Sequence, residues 1–288
     1  MEFRFGVNML ASAGRAHWID LCRKAERLGY DVVAVPDHLG MPAPFPALVA
    51  AAEATERVRL GTYVVNTGFY NPVLLARDVE GVDQLLEGRF ELGLGTGYVK
   101  AEFDAAGLPF LSPGKRLDHL ERCIEAIREH YGDRTPPPLF LGGQRDRMLR
   151  LAAREADIVG FTGVRFSRDG DSAAIASPDE LDERIAFVRS EAGDRADGLE
   201  LNLLIQSVVV TDDRSAVLEQ LRRYDPDRTP EELGEVPILL VGTVEQIAEQ
   251  LRAQRERFGI TYVSVMDKDL DAFAEVIAHL RGGKPLTR

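Results

Sequence analysis

Eight times along this chain the hydrophobic pattern switches between two periods. Short, nearly all-apolar runs rich in Val, Leu, Ile and Phe, at 3–7, 31–35, 58–66, 90–95, 139–141, 157–161, 199–211 and 260–266, read as strands. Between them lie segments with apolar residues every three to four positions, as in helices that bury one face. Pro72 opens one such helix, with Leu75, Val79, Val82 and Leu86 turned inward, and Leu117, Leu120, Ile124, Ile127 and Tyr131 mark another. The run Val32-Val33-Ala34-Val35 has no polar residue, which suits a parallel sheet covered on both faces. Regular alternation of strands and helices makes the chain α/β. An open doubly wound sheet and a closed barrel both satisfy it. Eight units in 288 residues match a (β/α)8 barrel, and the first strand-to-helix turn, residues 8–14, lacks the glycine fingerprint of a nucleotide-binding open sheet. The sequence therefore predicts one barrel domain over residues 1–288. A polar, aperiodic loop at 162–178 interrupts it, and a frayed tail follows at 282–288.

Charge limits the partners. The chain carries 47 Asp and Glu against 35 Lys and Arg, a net −12, which argues against nucleic acid and anionic membrane surfaces as partners. No apolar run approaches the ~20 residues of a membrane span, and the N-terminus lacks the pattern of a signal peptide. Cys22 and Cys123 form neither a disulfide framework nor a metal-ligand pair, and they read as core thiols of a cytoplasmic protein. No His, Asp and Glu cluster has metal-ligand spacing, so no metal is expected.

In such a barrel the chemistry is placed at the C-terminal ends of the strands. The second strand ends in Pro36-Asp37-His38, and a histidine there can move a proton near neutral pH. The same pair can equally cap the next helix. His17, His119, His130 and His279 fall on helices and read as packing or surface residues. Gly95-Thr96-Gly97 and Gly142-Gly143-Gln144 are glycine-rich strand-to-helix turns that let a flat ring or a phosphate approach backbone N–H groups, although many such turns carry glycine only to turn. Thr62–Asn66 ends the third strand, Tyr98 follows the fourth, and Thr162 follows the sixth.

Taken in order, these segments resemble the luciferase-like flavin and deazaflavin oxidoreductases. The matching pieces are Leu28-Gly29-Tyr30-Asp31-Val32-Val33 with Pro36-Asp37-His38, then Arg59-Leu60-Gly61-Thr62 through Asn66 with Asn71-Pro72. Gly88-Arg89-Phe90-Glu91-Leu92-Gly93-Leu94-Gly95, Leu141-Gly142-Gly143, Ala156-Asp157 and Gly242-Thr243-Val244-Glu245 complete them. The resemblance implies a (β/α)8 barrel with an insertion, a homodimer, and a flavin-type cofactor at the barrel mouth. The Asp-His pair resembles the branch that uses coenzyme F420, an 8-hydroxy-5-deazaflavin. By that resemblance His38 is catalytic, with Asp37 beside it. A non-prolyl cis peptide is expected within Thr62, Tyr63, Val64 and Val65, most of all at Tyr63. Asn66 is expected at the ring edge. Gly95, Thr96, Gly97, Gly142, Gly143, Gln144 and Thr162 are expected around the ring, ribityl chain or phosphate. Arg145, Arg147, Arg165 and Arg168 stand where an anionic cofactor would be met.

One departure matters. Sugar-phosphate dehydrogenases of this branch carry a glutamate just after the Gly-Thr-Gly turn, and here that residue is Tyr98. Tyr98 is either the proton donor or a packing aromatic. The leading expectation is hydride transfer between F420 and a small organic substrate held by residues 39–45, 98–103 and 162–178. An FMN-dependent monooxygenase is the enzymatic alternative, and a non-catalytic flavin-binding protein the other.

Overall fold

The apolar runs of β2 and β5 are buried along their length, and the periodic segments along one face. The computed structural model describes residues 2–9, 14–166 and 173–283. Its strands are β1 (Arg4–Asn8), β2 (Val32–Val35), β3 (Arg59–Thr62), β4 (Val65–Asn66), β5 (Phe90–Gly95), β6 (Leu139–Gly142), β7 (Ile158–Phe161), β8 (Val164–Phe166), β9 (Ala173–Ile175), β10 (Glu200–Leu204), β11 (Ser207–Val210), β12 (Leu239–Gly242) and β13 (Tyr262–Met266). Its helices are α1 (Arg15–Arg27), α2 (Pro44–Ala52), α3 (Pro72–Leu85), α4 (Lys100–Ala106), α5 (Pro113–Tyr131), α6 (Asp146–Glu155), α7 (Pro178–Ala192), α8 (Arg214–Leu221), α9 (Pro230–Gly234), α10 (Val244–Phe258) and α11 (Leu270–Leu280). One sheet runs β3-β2-β1-β13-β10-β7-β6-β5-β4, and a further β3–β5 pairing closes eight parallel strands into a (β/α)8 barrel.

The contacts divide the chain into two compact units, which are described separately. The first comprises Asn8–Glu26 and Asp31–Gly142. All four residues of β2 and all six of β5 are buried, as a strand covered on both faces requires. Pro72 stands at the start of α3, and the Asn71 side chain accepts from the Val73 and Leu74 amides. On α5, Leu117, Leu120, Ile124, Ile127 and Tyr131 are buried, the face read from the sequence. Helix α4 was not foreseen. It has seven residues and buries only Phe103, too short a piece for its period to register.

The third strand differs from the expectation in a way that matters. It breaks in two. β3 pairs Leu60 with Phe90 and Gly61 with Glu91, whereas β4 pairs Val65 with Leu94 and Asn66 with Gly95. Between these rungs one side therefore carries one more residue than the other, which is a bulge. The Thr62 hydroxyl spans the gap, donating to the Gly93 carbonyl at 2.7 Å and accepting from its amide at 2.8 Å. The Tyr63–Val64 peptide is cis, at the position the sequence pointed to.

The second unit comprises Met1–Val7, Arg27–Tyr30 and Gly143–Arg288. β7, β10 and β13 are parallel neighbours in its part of the sheet. The aperiodic loop expected at 162–178 contains an antiparallel pair, β8 with β9, in which Val164 stands opposite Ile175. Three-residue strands are too short to alternate visibly. Residues 199–211 hold two strands rather than one. β11 leaves the barrel and pairs in parallel with β12, with Ser207 opposite Leu239. Capping boxes open α7 at Ser177 and α10 at Thr243. Residues 10–13 of the first turn, Arg168 of the insertion and the tail at 284–288 lie outside the described residues.

Candidate functional site

In the first unit, β2 ends at Val35 and delivers Asp37 and His38 into an irregular segment. Asp37 acts as a bracket. Its carboxylate accepts from the Asn66 amide at 3.1 Å and is hydrogen bonded to the Tyr70 hydroxyl, so the end of β2 is tied to the turn that follows β4. The turn itself is fastened by Asn66, whose side-chain oxygen accepts from the Gly68 amide, and by His119 of α5. The His119 Nε2 lies 3.0 Å from the Thr67 carbonyl and 3.1 Å from that of Tyr70. Two carbonyls can only accept, so Nε2 carries the proton. His119 is thus a packing residue, as its place on a helix implied.

Burial raises the Asp37 carboxyl above its usual value. The bonds from Asn66 and Tyr70 and the charge of His38 oppose this, and Glu102 adds to it. The folded state therefore holds this proton more tightly than the unfolded chain. The resulting stability is present in full below the unfolded value of about 3.9 and is lost as pH rises through the folded value. Asp37→Asn cannot ionise, so it should gain stability relative to the parent as pH is raised from about 4 toward neutrality. Urea midpoints of the two proteins across that range measure the difference, and a difference that does not change with pH contradicts the account.

His38 is partly buried. Its Nδ1 lies 2.8 Å from a carboxylate oxygen of Glu102, on the first turn of α4. Nothing in the sequence singled out Glu102, because it stands on an unforeseen helix, 64 residues from its partner. Tyr98 is neither buried nor packed in the core. It is 72% exposed and meets the His38 ring edge-on at 5.8 Å. Phe103, counted among the residues that might face a ligand, is core, 1% exposed between Phe69 and Phe110.

Side chains of the protein stand close to the glycines of the first unit. A Cβ on Gly95 would stand 2.5 Å from the Val64 side chain, and one on Gly97, whose φ is +69°, would overlap Asn66. A Cβ on Gly93 would overlap the Thr62 carbonyl oxygen. Tyr63 turns the other way, its ring 4.8 Å from that of Phe140. Both side chains flanking the cis bond thus pack back onto the protein. Thr96 links Gly95 to Gly97, Val65 is fully buried in β4, and Gly142 ends β6.

In the second unit, Gly143 and Gln144 follow Gly142, and Gln144 donates from Nε2 to the Thr162 hydroxyl. A cavity of about 270 Å³ is lined here by Gly143, Gln144, Thr162, Gly163, Leu181 and Arg184. Arg184 is engaged by Asp146 and Glu183, each at 2.6 Å. The structure thus gathers Asp37, His38, Asn66, Gly97 and Tyr98 in one unit, and Gly143, Gln144 and Thr162 in the other. No group of three or more His, Cys, Asp or Glu residues fit to hold a metal occurs among the described residues. Nor is any described helix long and apolar enough to cross a membrane.

The luciferase-like monooxygenase family matches residues 2–262, so the chain belongs to that family. A Mycobacterium tuberculosis protein of uncharacterised function is 27% identical over 224 residues, 61% of this chain and 72% of that one. The F420-dependent glucose-6-phosphate dehydrogenase of Nakamurella multipartita is 30% identical over 223 residues, 62% of this chain and 65% of its own length. This chain therefore spans less than two thirds of that dehydrogenase. Among solved structures, an F420-dependent secondary alcohol dehydrogenase bound to an F420-acetone adduct superposes with a TM-score of 0.75 at 19% identity, covering 98% of this chain and 100% of that one. At that identity the likeness concerns the fold.

Proposed function

We propose that this chain is an oxidoreductase that works with coenzyme F420 to move a hydride to or from a small organic substrate. The observation that carries the reading is His38. Its Nδ1 is held by Glu102, and among the described residues its Nε2 has no hydrogen-bond partner. Hydride transfer at a polar bond needs a proton delivered or removed alongside it, and an imidazole nitrogen left open suits that task. The F420-dependent relatives and the Asp-His pair support the choice of cofactor.

The residues fit a deazaflavin. Its tricycle is planar with a polar edge, and here the Tyr63 ring packs against Phe140 and the Val64 side chain lies against Gly93 and Gly95. When bound, F420 supplies the hydride chemistry through its deazaflavin carbon. By the resemblance, Thr62, Tyr63, Val64 and Val65 would give the ring its backbone support, Asn66 would hold its polar edge, and Gly95, Thr96 and Gly97 would lie beside it. Asp37 orients the 66–70 turn, His38 Nε2 holds or releases the proton, and Tyr98 bounds the substrate beside His38. A homodimer in the cytoplasm completes the reading, and two buried, unpaired thiols are in keeping with a reducing compartment.

Equilibrium titration with F420 and with FMN, followed by protein fluorescence, tests it. F420 should bind more tightly than FMN, and the protein should leave the oxygen consumption of reduced FMN at its protein-free rate. Tighter binding of FMN, with oxygen from reduced FMN incorporated into an organic substrate, would instead make the chain a monooxygenase.

A further inference from the structure

The sequence lacks the glutamate expected at position 98, yet a carboxylate does stand beside His38. It comes from four residues later. Residues 98 and 102 flank the entry to α4, so a carboxyl lost from the turn has a counterpart on the helix that follows it. Glu102 is 15% exposed at its side chain and His38 is 26% exposed, so the pair is partly shielded from water. The neighbouring cation does not compete for it. Lys100 is engaged by Asp104, at 2.8 and 2.6 Å from its two oxygens.

We infer that Glu102 is the positioning residue of His38: it fixes the imidazole as the Nδ1–H tautomer and so reserves Nε2 for the reacting proton. The argument is one of donor and acceptor. An ionised carboxylate can only accept a hydrogen bond, so a 2.8 Å contact with Nδ1 requires the proton to sit on Nδ1. A neutral imidazole with Nδ1–H has its lone pair on Nε2. In the opposite tautomer Nε2 would carry a hydrogen and Nδ1 would point a lone pair at a carboxylate, which repels it. Glu102 thus selects both the ring orientation and the atom that takes or gives the proton. One Glu102 oxygen is given to His38, which ties the carboxylate to the imidazole that carries the reacting proton.

This rests on the proposed hydride-transfer function, and the test separates the two. The readout is the nitrogen NMR of imidazole-labelled protein without cofactor, at a pH where His38 is neutral. The His38 signals are assigned by their loss in His38→Asn. The parent protein should show a protonated Nδ1 and a bare Nε2 at His38. Glu102→Ala, which keeps a good helix former on α4, should lose that pattern in favour of the Nε2–H form. With F420, Glu102→Ala should lower kcat by at least about tenfold, and by no more than the roughly 10²- to 10⁴-fold that an acid–base group contributes. Its affinity for F420 should stay near that of the parent. Glu102→Asp should recover part of the tautomer signal and part of kcat together.

A parent protein with Nε2–H at His38, or an unchanged tautomer in Glu102→Ala, overturns the positioning role whatever the activity. If F420 fails to bind the parent, the functional reading falls, while the NMR comparison still decides the pair. The parent measurement alone is decisive should Glu102→Ala not fold.

Discussion

His38→Ala should keep the fold and lose almost all turnover. The loss should be roughly 10²- to 10⁴-fold in kcat, the usual contribution of a positioned acid–base group. Retention of the fold follows from what the side chain touches. It is partly exposed, follows β2 rather than lying in it, and its hydrogen bond goes to Glu102 on a short helix. Removing it uncovers no apolar core and leaves Glu102 able to take water. The stability lost should be no more than the roughly 1.5–3 kcal/mol of one hydrogen bond to a charged group. Steady-state kinetics with F420, together with a thermal melt, measure both halves. A variant that turns over at near the parent rate removes His38 from the chemistry. A variant that melts far below the parent would make the residue structural instead.

The second large effect is on stability. Gly93→Ala should destabilise by about 3 kcal/mol or more, at the upper end of what overpacking costs. The added methyl would overlap the Thr62 carbonyl oxygen and press on Val64 Cγ1 at 3.0 Å. Relief is hard to find, because the Thr62 hydroxyl is bonded to both the amide and the carbonyl of Gly93. Any shift that frees the methyl breaks a buried rung of the sheet. Gly81→Ala is the control, since it lies on α3 with nothing within 4 Å and should be stabilising or neutral. Urea unfolding of the three proteins gives the comparison. A Gly93→Ala midpoint equal to the parent's would show that the bulge yields easily.

The barrel was legible because it is written in two periods repeated eight times, and such a signal survives errors at element ends. The site was legible only where chain order carries it. Asp37 and His38 were visible because a polar pair at the end of an all-apolar strand is conspicuous, and the Tyr63–Val64 step because the surrounding segment resembles the family. Glu102 was not visible. Its meaning depends on a contact 64 residues away, and a seven-residue helix has too few turns to announce which side it presents. The strand pair in the 162–178 segment was lost for the same reason. The glycines have a second reading. Gly95 and Gly97 leave backbone that a ligand can approach, and a Cβ on either would meet Val64 or Asn66. A sequence states that a side chain is missing without stating what fills its place.

The unequal count between the rungs at Gly61 and Val65 also keeps the two ends of the third strand in step with β5. Partners in a parallel ladder share a face, and Glu91 and Leu94 are three residues apart whereas Gly61 and Val65 are four apart, so a regular strand could not hold both rungs. The extra residue must be absorbed within 62–64 for Val65 and Asn66 to meet Leu94 and Gly95. A variant lacking one residue there would have an even ladder in which Asn66 still stands opposite Gly95. It should therefore lose the bulge while keeping the acceptor that Gly68 uses and the amide that Asp37 holds.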